Sequence, residues 1–274
     1  MKLVSYSTDS ETPRVGYIED GEVRPLVGAS MLEYIEQDRS TKMQTGGETV
    51  SLGEARLHAP IVRPAKIICI GLNYEDHAAE TGREIPEKPV VFAKYPNTIV
   101  GPGEPIRIPP ITGQVDYEAE LVVVIGRVAK NVPEEEALEY VFGYTNGNDV
   151  SSRDLQFSEG GQWTRSKSLD TFAPIGPYVA TRDEIPDPQS LSIRCVLNGE
   201  VVQDGTTSKM IFSVAELISF LSTGMTLVPG DVIFTGTPAG VGFVRDPELF
   251  MKPGDEVTVE TEGLGALTNV LEAG

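Results

Sequence analysis

Asp116-Tyr117-Glu118-Ala119-Glu120 runs without a break into Leu121-Val122-Val123-Val124-Ile125. Five consecutive apolar residues, three of them valine, suit a strand buried on both faces. Side chains two apart on a strand share a face. Glu118 and Glu120 therefore project to one side, about 7 Å apart along the backbone. Two carboxylates so placed repel each other. A divalent cation between them removes that cost, and hard oxygen donors favour Mg²⁺, Mn²⁺ or Ca²⁺ over zinc. A solvated acidic strand end is the plainer alternative, and spacing alone does not choose.

Working outward, other apolar stretches read the same way: Ile67–Ile70, Ser192–Leu197, Asp231–Thr235 and Glu256–Thr261. The 28 glycines and 20 prolines punctuate these runs as turns do. Three short helices are expected. Met31 to Gln37 is amphipathic. Pro133 to Tyr140 opens with Pro and three glutamates, which suit a helix N-terminus. Ser213 to Thr223 carries Ser213 and Glu216 in capping-box spacing, with Val214, Leu217, Ile218 and Leu221 at helical spacing. Residues 1–62 read as a small β-rich module with strands at Lys2–Tyr6, Arg14–Glu19 and Glu22–Pro25. Ala59-Pro60-Ile61-Val62-Arg63-Pro64 reads as a stiff linker. Residues 63–274 then form a mixed, mainly β domain that curls toward a barrel, with few helices.

Composition narrows the functional classes. The chain has 274 residues, 40% of them apolar, enough for a sizeable core. Its 41 acidic and 22 basic residues give a net charge of −19. That charge disfavours nucleic acid and anionic membranes and tolerates small molecules and cations. Cys69 and Cys195 lie in apolar runs without a Cys-x-x-Cys pattern, so both read as buried, reduced thiols. The N-terminus lacks a signal-peptide pattern, and the longest apolar runs fall far short of a membrane span. A soluble cytoplasmic protein is expected.

Two further stretches carry polar chemistry. Val141-Phe142-Gly143-Tyr144-Thr145 leads into Gly147-Asn148-Asp149, which places Asp149 at a strand end as a third carboxylate. Arg153 and Asp154, just beyond, read as a plain surface ion pair. Gly71-Leu72-Asn73-Tyr74-Glu75-Asp76-His77-Ala78-Ala79-Glu80 follows the strand Ile67–Ile70. On a helix His77 and Glu80 share a face. A carboxylate beside an imidazole orients the ring and favours its charged form, the logic of an activated base; an exposed His–Glu contact is the plain alternative. Gly82 reads as the helix stop, and a short helix between loops has the form of a lid. His58 reads as structural and Trp163 as a buried anchor. The glycines of Gly236 to Gly242 either admit a ligand to the backbone or make a turn. Nucleophile-elbow, Walker, zincin and dinucleotide-binding motifs are absent.

Taken in order, Gly71-x-Asn73-Tyr74-x-x-His77-x-x-Glu80, Phe92-Ala93-Lys94, Asp116–Ile125, Asn148–Gln156, Trp163–Asp170 and Gly236–Gly242 resemble the fumarylacetoacetate hydrolase family. The likeness spans about Ala65 to Asn269. It implies a mixed β-sandwich roll, a homodimer, and Mg²⁺ or Mn²⁺ at the site, with Ca²⁺ able to replace them in crystals. It implies metal ligation by Glu118, Glu120 and Asp149, and catalytic roles for His77, Glu80 and Lys167. Gln156, Thr237 and Lys94 match positions that contact substrate.

The implied activity is metal-dependent hydrolysis of a carbon–carbon bond in a 2,4-diketo acid, an acylpyruvate or fumarylpyruvate. The metal stabilises the enolate of pyruvate, Lys167 offsets the negative charge, and His77 activates the attacking water. Decarboxylation of oxaloacetate, or isomerisation or decarboxylation of a 2-hydroxymuconate-type diacid, uses the same metal-bound enolate. An inactive metal- or ligand-binding module is the non-enzyme alternative. The pocket is expected between the lid, residues 83–87 and the loop after Asp154.

Overall fold

The apolar run at 121–125 sits where its composition puts it, in the middle of a large sheet. In the computed structural model, which describes residues 1–8, 12–27, 30–36, 45–158 and 160–274, the strand Ala119–Ile125 is buried along its whole length. Leu121, Val123 and Ile125 face one apolar cluster. Val122 and Val124 face another on the opposite side. The strand pairs antiparallel with Val141–Asn148 on one edge and Val232–Phe234 on the other.

From there the sheet grows both ways. Val232–Phe234 runs parallel to Ile67–Gly71, which pairs antiparallel with Val90–Lys94. In the other direction Val141–Asn148 pairs with Ala173–Thr181, and that strand pairs with Lys2–Ser7. Arg14–Glu19, Glu22–Pro25 and Val50–Ser51 follow. The expected N-terminal strands are thus present, and they extend the sheet that carries the 121–125 run. Ala59 and Ile61, in the stretch read as a linker, are buried in the second cluster.

A second sheet, Glu200–Thr206, Ser192–Leu197, Glu256–Thr261, Ala266–Ala273 and Ile106–Ile108, encloses a third cluster around Ile193, Cys195, Val257 and Val259. A two-stranded ladder, Val115–Asp116 with Ser151–Ser152, lies apart from both sheets. The architecture is mainly β with few helices, as the sequence implies. The barrel tendency is not realised, because the large sheet runs from Val50–Ser51 to Val90–Lys94 without closing. Both cysteines are buried and free.

The helices follow their signals in part. Val214–Ser222 starts from a complete capping box, with Ser213 Oγ accepting from Glu216 N (3.2 Å) and Glu216 Oε2 accepting from Ser213 N (2.7 Å). Met31–Glu36 buries Met31, Tyr34 and Ile35; Gln37, the expected last residue, lies outside the described residues. Glu134–Tyr140 is a run of 3₁₀ turns, not the expected α-helix. Only Ala137 is fully buried there, so no apolar stripe imposes the 3.6-residue period.

Candidate metal centre and active site

Strand parity brings the acids together. Glu120 shares the face of Val122 and Val124, and Glu118 continues that face just before the strand begins. On the neighbouring strand Asp149 follows Asn148. Its N–H donates to Glu118 O (2.9 Å), and Asn148 Oδ1 accepts from Glu118 N (3.0 Å). These bonds fix two strand ends side by side. Carboxylate oxygens of Glu118, Glu120 and Asp149 all lie within 4.8 Å of one another, and all three residues are buried.

Buried cations hold two of these acids. Lys167, on the short helix Thr164–Lys167, donates to Glu118 Oε2 and Asp149 Oδ2, each at 2.8 Å. Lys94 donates to Asp149 Oδ1 and to Val150 O. Arg153 donates through Nε to Asp116 Oδ2 (2.8 Å) and through Nη1 to Gln156 Oε1 (2.9 Å). Its Nη2 stands 2.7 Å from Glu118 Oε1, a buried ion pair. The expected surface pair of Arg153 with Asp154 is therefore corrected. Arg153 is 2% exposed, while Asp154 ties the loop at 112–113 to its own segment by accepting from Thr112 Oγ1, Gly113 N and Ser152 Oγ. Pairing of Val115–Asp116 with Ser151–Ser152 turns Arg153 inward onto Asp116.

Glu120 is different. Its one bond is from Gly236 N (2.7 Å), and among the described residues no cation reaches ion-pair distance. Burial, then the charges of Asp149 and Glu118, push its carboxyl well above the usual carboxylate range. Burial also raises Glu118, but Lys167, Arg153 and His77 outweigh it and bring the carboxyl down to about 2. Lys167 is raised despite burial, because Asp149 and Glu118 favour its charged form.

The donor set fits a hard divalent cation. Three buried carboxylates converge, and one of them lacks the countercharge that burial demands. Counting Asp116, four carboxylates face Lys94, Lys167 and Arg153, which leaves one formal negative charge. A divalent cation turns the cluster net positive and receptive to an anionic ligand.

The glycine loop proves to be a cradle for carboxylates. Gly236 N serves Glu120, Gly240 N serves Glu80 Oε2 (2.8 Å), and Gly242 N serves Asp116 Oδ1 (2.8 Å). Gly240 has φ +108°, and an added Cβ there would come within 2.4 Å of Val202 O. The loop can aim its N–H groups this way because it lacks side chains at these turns.

His77 and Glu80 lie on the helix Glu75–Glu80. His77 Nδ1 is 2.6 Å from Glu80 Oε1. With Glu80 ionised the shared proton belongs on Nδ1, which leaves the Nε2 lone pair free. His77, Glu118, Glu120, Lys167, Gln156 and Thr237 all border one open cavity. Arg83 borders it too, as expected of the region after the lid; Arg153 and Phe157 provide the wall beyond Asp149. Trp163, expected as a buried anchor, is half-buried and forms part of this wall. Thr237 Oγ1 donates to Ala119 O (2.9 Å) and accepts from Gln203 Nε2 (2.8 Å), so toward a ligand it has only a lone pair to offer. Lys94 lies behind Asp149 and does not border the cavity. His58 meets Ser7 Oγ (2.8 Å), away from the site.

Sequence reasoning missed Asp116, Arg153 and the loop N–H groups. Asp116 shares the strand parity of Glu118 and Glu120, a signal that could have flagged it. The partners of Arg153 are distant in sequence and gave none.

The chain is similar to known proteins over its whole length. Residues 66–272 match the model of the fumarylacetoacetate hydrolase C-terminal domain, and residues 1–60 match an N-terminal domain described as Rv2993c-like. The mitochondrial oxaloacetate tautomerase fahd2 of Xenopus laevis is 44% identical over 285 residues, covering 98% of this chain and 89% of that protein. The solved structure of the fumarylacetoacetate hydrolase of Exiguobacterium antarcticum superposes with a TM-score of 0.89 at 38% identity, covering all of both chains. The 5-carboxymethyl-2-hydroxymuconate delta-isomerase of Mycobacterium smegmatis gives 0.85 at 37% identity, again over both whole chains. The chain belongs to the fumarylacetoacetate hydrolase family.

Proposed function

We propose that this protein is a divalent-metal-dependent enzyme of 2-oxo acids, and that its main reaction is keto–enol tautomerisation of a four-carbon 2-oxo diacid, oxaloacetate. One observation carries the reading. His77 borders the same cavity as Glu118 and Glu120, the two acids of the cluster that reach it, with Nδ1 tied to Glu80, and Glu80 is itself tied to Gly240 N. That is an oriented single-proton carrier beside a cation site. The similarity to the Xenopus oxaloacetate tautomerase supports the choice of oxaloacetate.

Glu118, Glu120 and Asp149 would hold Mg²⁺ or Mn²⁺, which supplies Lewis-acid stabilisation of charge developing on the keto oxygen. His77 Nε2 takes a proton from the carbon between the two carbonyl groups, and Glu80 stabilises the imidazolium that forms. The released electron pair moves toward the keto oxygen, and His77 returns the proton to that oxygen, which completes the enol and restores the neutral imidazole. Lys167 spends two of its three N–H donors on Glu118 and Asp149 and keeps one for the ligand. Gln156, whose oxygen is taken by Arg153, offers its amide N–H groups. Lys94 holds Asp149 from behind.

A second reading keeps the same residues. If His77 takes its proton from water, the hydroxide attacks the outer carbonyl of an acylpyruvate, and carbon–carbon hydrolysis follows. The similarity to the Exiguobacterium hydrolase favours keeping it. Purified protein with Mg²⁺ or Mn²⁺ should be assayed on oxaloacetate, for enol conversion and for decarboxylation, and on acetylpyruvate. Tautomerisation should lead in kcat/KM by about tenfold or more, the margin that differential transition-state binding readily supplies. Acetylpyruvate leading by that margin replaces the first reading with the second. No metal-dependent turnover of any of the three removes both.

A further inference from the structure

Three permanent cations border the cavity: Arg83, Arg153 and Lys167. Arg153 and Lys167 are buried and are paired with Asp116, Glu118, Asp149 and Gln156. Arg83 is exposed, and among the described residues no carboxylate pairs with it.

An exposed arginine usually wanders in solvent. Arg83 is held at two points. Its backbone closes the helix Glu75–Glu80: Gly82, at φ +64°, donates to Ala79 O (3.2 Å), and Arg83 N donates to Ala78 O (3.0 Å). These two bonds form a Schellman closure, which fixes where the chain leaves the helix. Its guanidinium then stands 5.8 Å from the centre of the Trp163 ring, a cation–π contact. Trp163 is fixed in turn. It packs edge-on to Phe92 at 5.5 Å and fills the space that a Cβ on Gly71 would need, 2.3 Å from the ring.

We infer that Arg83 reads the far end of the substrate: it binds the second carboxylate of a 2-oxo diacid whose 2-oxo acid end lies at Glu118, Glu120 and Asp149. The inference rests on the proposed function, since it needs the 2-oxo end to occupy the acid cluster. The aromatic surface beneath the guanidinium excludes water from one side and strengthens a charge-assisted bond on the other. Arg153 is less suited to this role, because its buried charge is already matched by Asp116 and Glu118 inside the acid cluster. Lys167 has one free N–H, but it sits between Glu118 and Asp149 at the opposite end of the ligand. An uncharged acyl group gains nothing from Arg83 and meets only the rings of Trp163, Phe157 and Phe243. Arg83 therefore separates diacids from neutral acylpyruvates.

The test is calorimetric binding to Mn²⁺-loaded protein with three probes. Oxalate has no far end. 2-Oxoglutarate and 2-oxopentanoate have equal chain length and differ in the second carboxylate. Wild type should bind 2-oxoglutarate about tenfold or more tighter than 2-oxopentanoate, the worth of one charge-assisted pair in a half-dry site. Arg83→Met should erase that preference and Arg83→Lys should keep part of it, with oxalate affinity retained in both. The Schellman bonds come from the backbone, so both variants keep the helix end. If oxalate binds but wild type shows no preference, or Arg83→Met keeps the preference, the role of Arg83 is overturned. If oxalate fails to bind Mn²⁺-loaded wild type, the proposed function fails and takes the inference with it.

Discussion

Glu118, Glu120 and Asp149 stand at the ends of paired strands inside the sheet, whereas His77 and Glu80 ride on a helix of six residues at its margin. The acid cluster is held by backbone pairing and by buried ion pairs with Lys94, Lys167 and Arg153. The helix lacks a side-chain bond at its N-cap, Tyr74, and so short a helix is marginal by itself. Its anchors are the bonds of Asn73 to Phe212 and Thr235, the pairing of Tyr74 with Met210, and the bond from Gly240 to Glu80. A cation site needs fixed oxygens, while a proton carrier must admit substrate and then close on it. The two regions are built to those different demands.

The largest effect should come from the rigid region. Asp149→Ala removes a candidate ligand and strips both Lys94 and Lys167 of a buried partner. Breaking a buried pair from one side costs about 3–5 kcal/mol. The variant should unfold at markedly lower urea and lose metal-dependent turnover, with Mn²⁺ no longer raising its thermal midpoint. A variant as stable as wild type would show that the lysines find other partners and that this end of the site is less rigid than its burial implies.

His77→Ala tests the other region and should separate chemistry from binding. Turnover should fall about 10²–10⁴-fold, the usual contribution of a general base. Mn²⁺ affinity and thermal stability should stay near wild type. Glu80→Gln should cost less, about tenfold, because it keeps the bond from Gly240 but loses the charge that favours imidazolium. Unchanged turnover in His77→Ala would break the comparison, since the helix would then carry no chemistry.

How much of this was readable without coordinates differs between the regions too. The acids at 118 and 120 follow from a period of two along one strand, and the His77–Glu80 pair from a spacing of three along one helix. Both are local rules. Arg153 meets Asp116, and Lys94 meets Asp149, only after separate strands pair, 37 and 55 residues apart. Such contacts leave no local pattern. The strand Ala173–Thr181 was equally hidden. Its Pro174, Gly176 and Pro177 read as turn residues, yet it lies between two neighbours in the sheet and tolerates them through an irregular register with Val141–Asn148. The N-terminal strands were legible one by one, but which sheet they join was not, because edge preferences do not name a partner.

The smallest expected effect lies inside the acid cluster, where two glutamates two residues apart respond to pH in opposite senses. Without metal, Glu120 has a raised carboxyl, so the folded protein keeps a proton that the unfolded chain loses near 4.5. Its contribution is fully present below that value and is lost as pH rises through the folded pKa. Glu118 is lowered to about 2, so its contribution is present above 4.5 and is lost as pH falls toward 2. Between about pH 7.5 and 9 Glu118 is ionised and His58, lowered by burial, is neutral in the folded and the unfolded chain alike, so only the Glu120 effect is left to act. Metal-free protein should therefore lose stability as pH rises across that range. Saturating Mn²⁺ should cancel the loss, because the cation replaces the proton and its binding strengthens with pH. Glu120→Gln keeps an acceptor for Gly236 N but removes the titration, so its metal-free stability should be flat and its response to Mn²⁺ weak. Urea denaturation of both proteins, with EDTA and with Mn²⁺, measures each term. A flat wild-type profile in EDTA would mean that Glu120 stays ionised without a cation, and the cluster would then lack the missing countercharge that makes it a metal site.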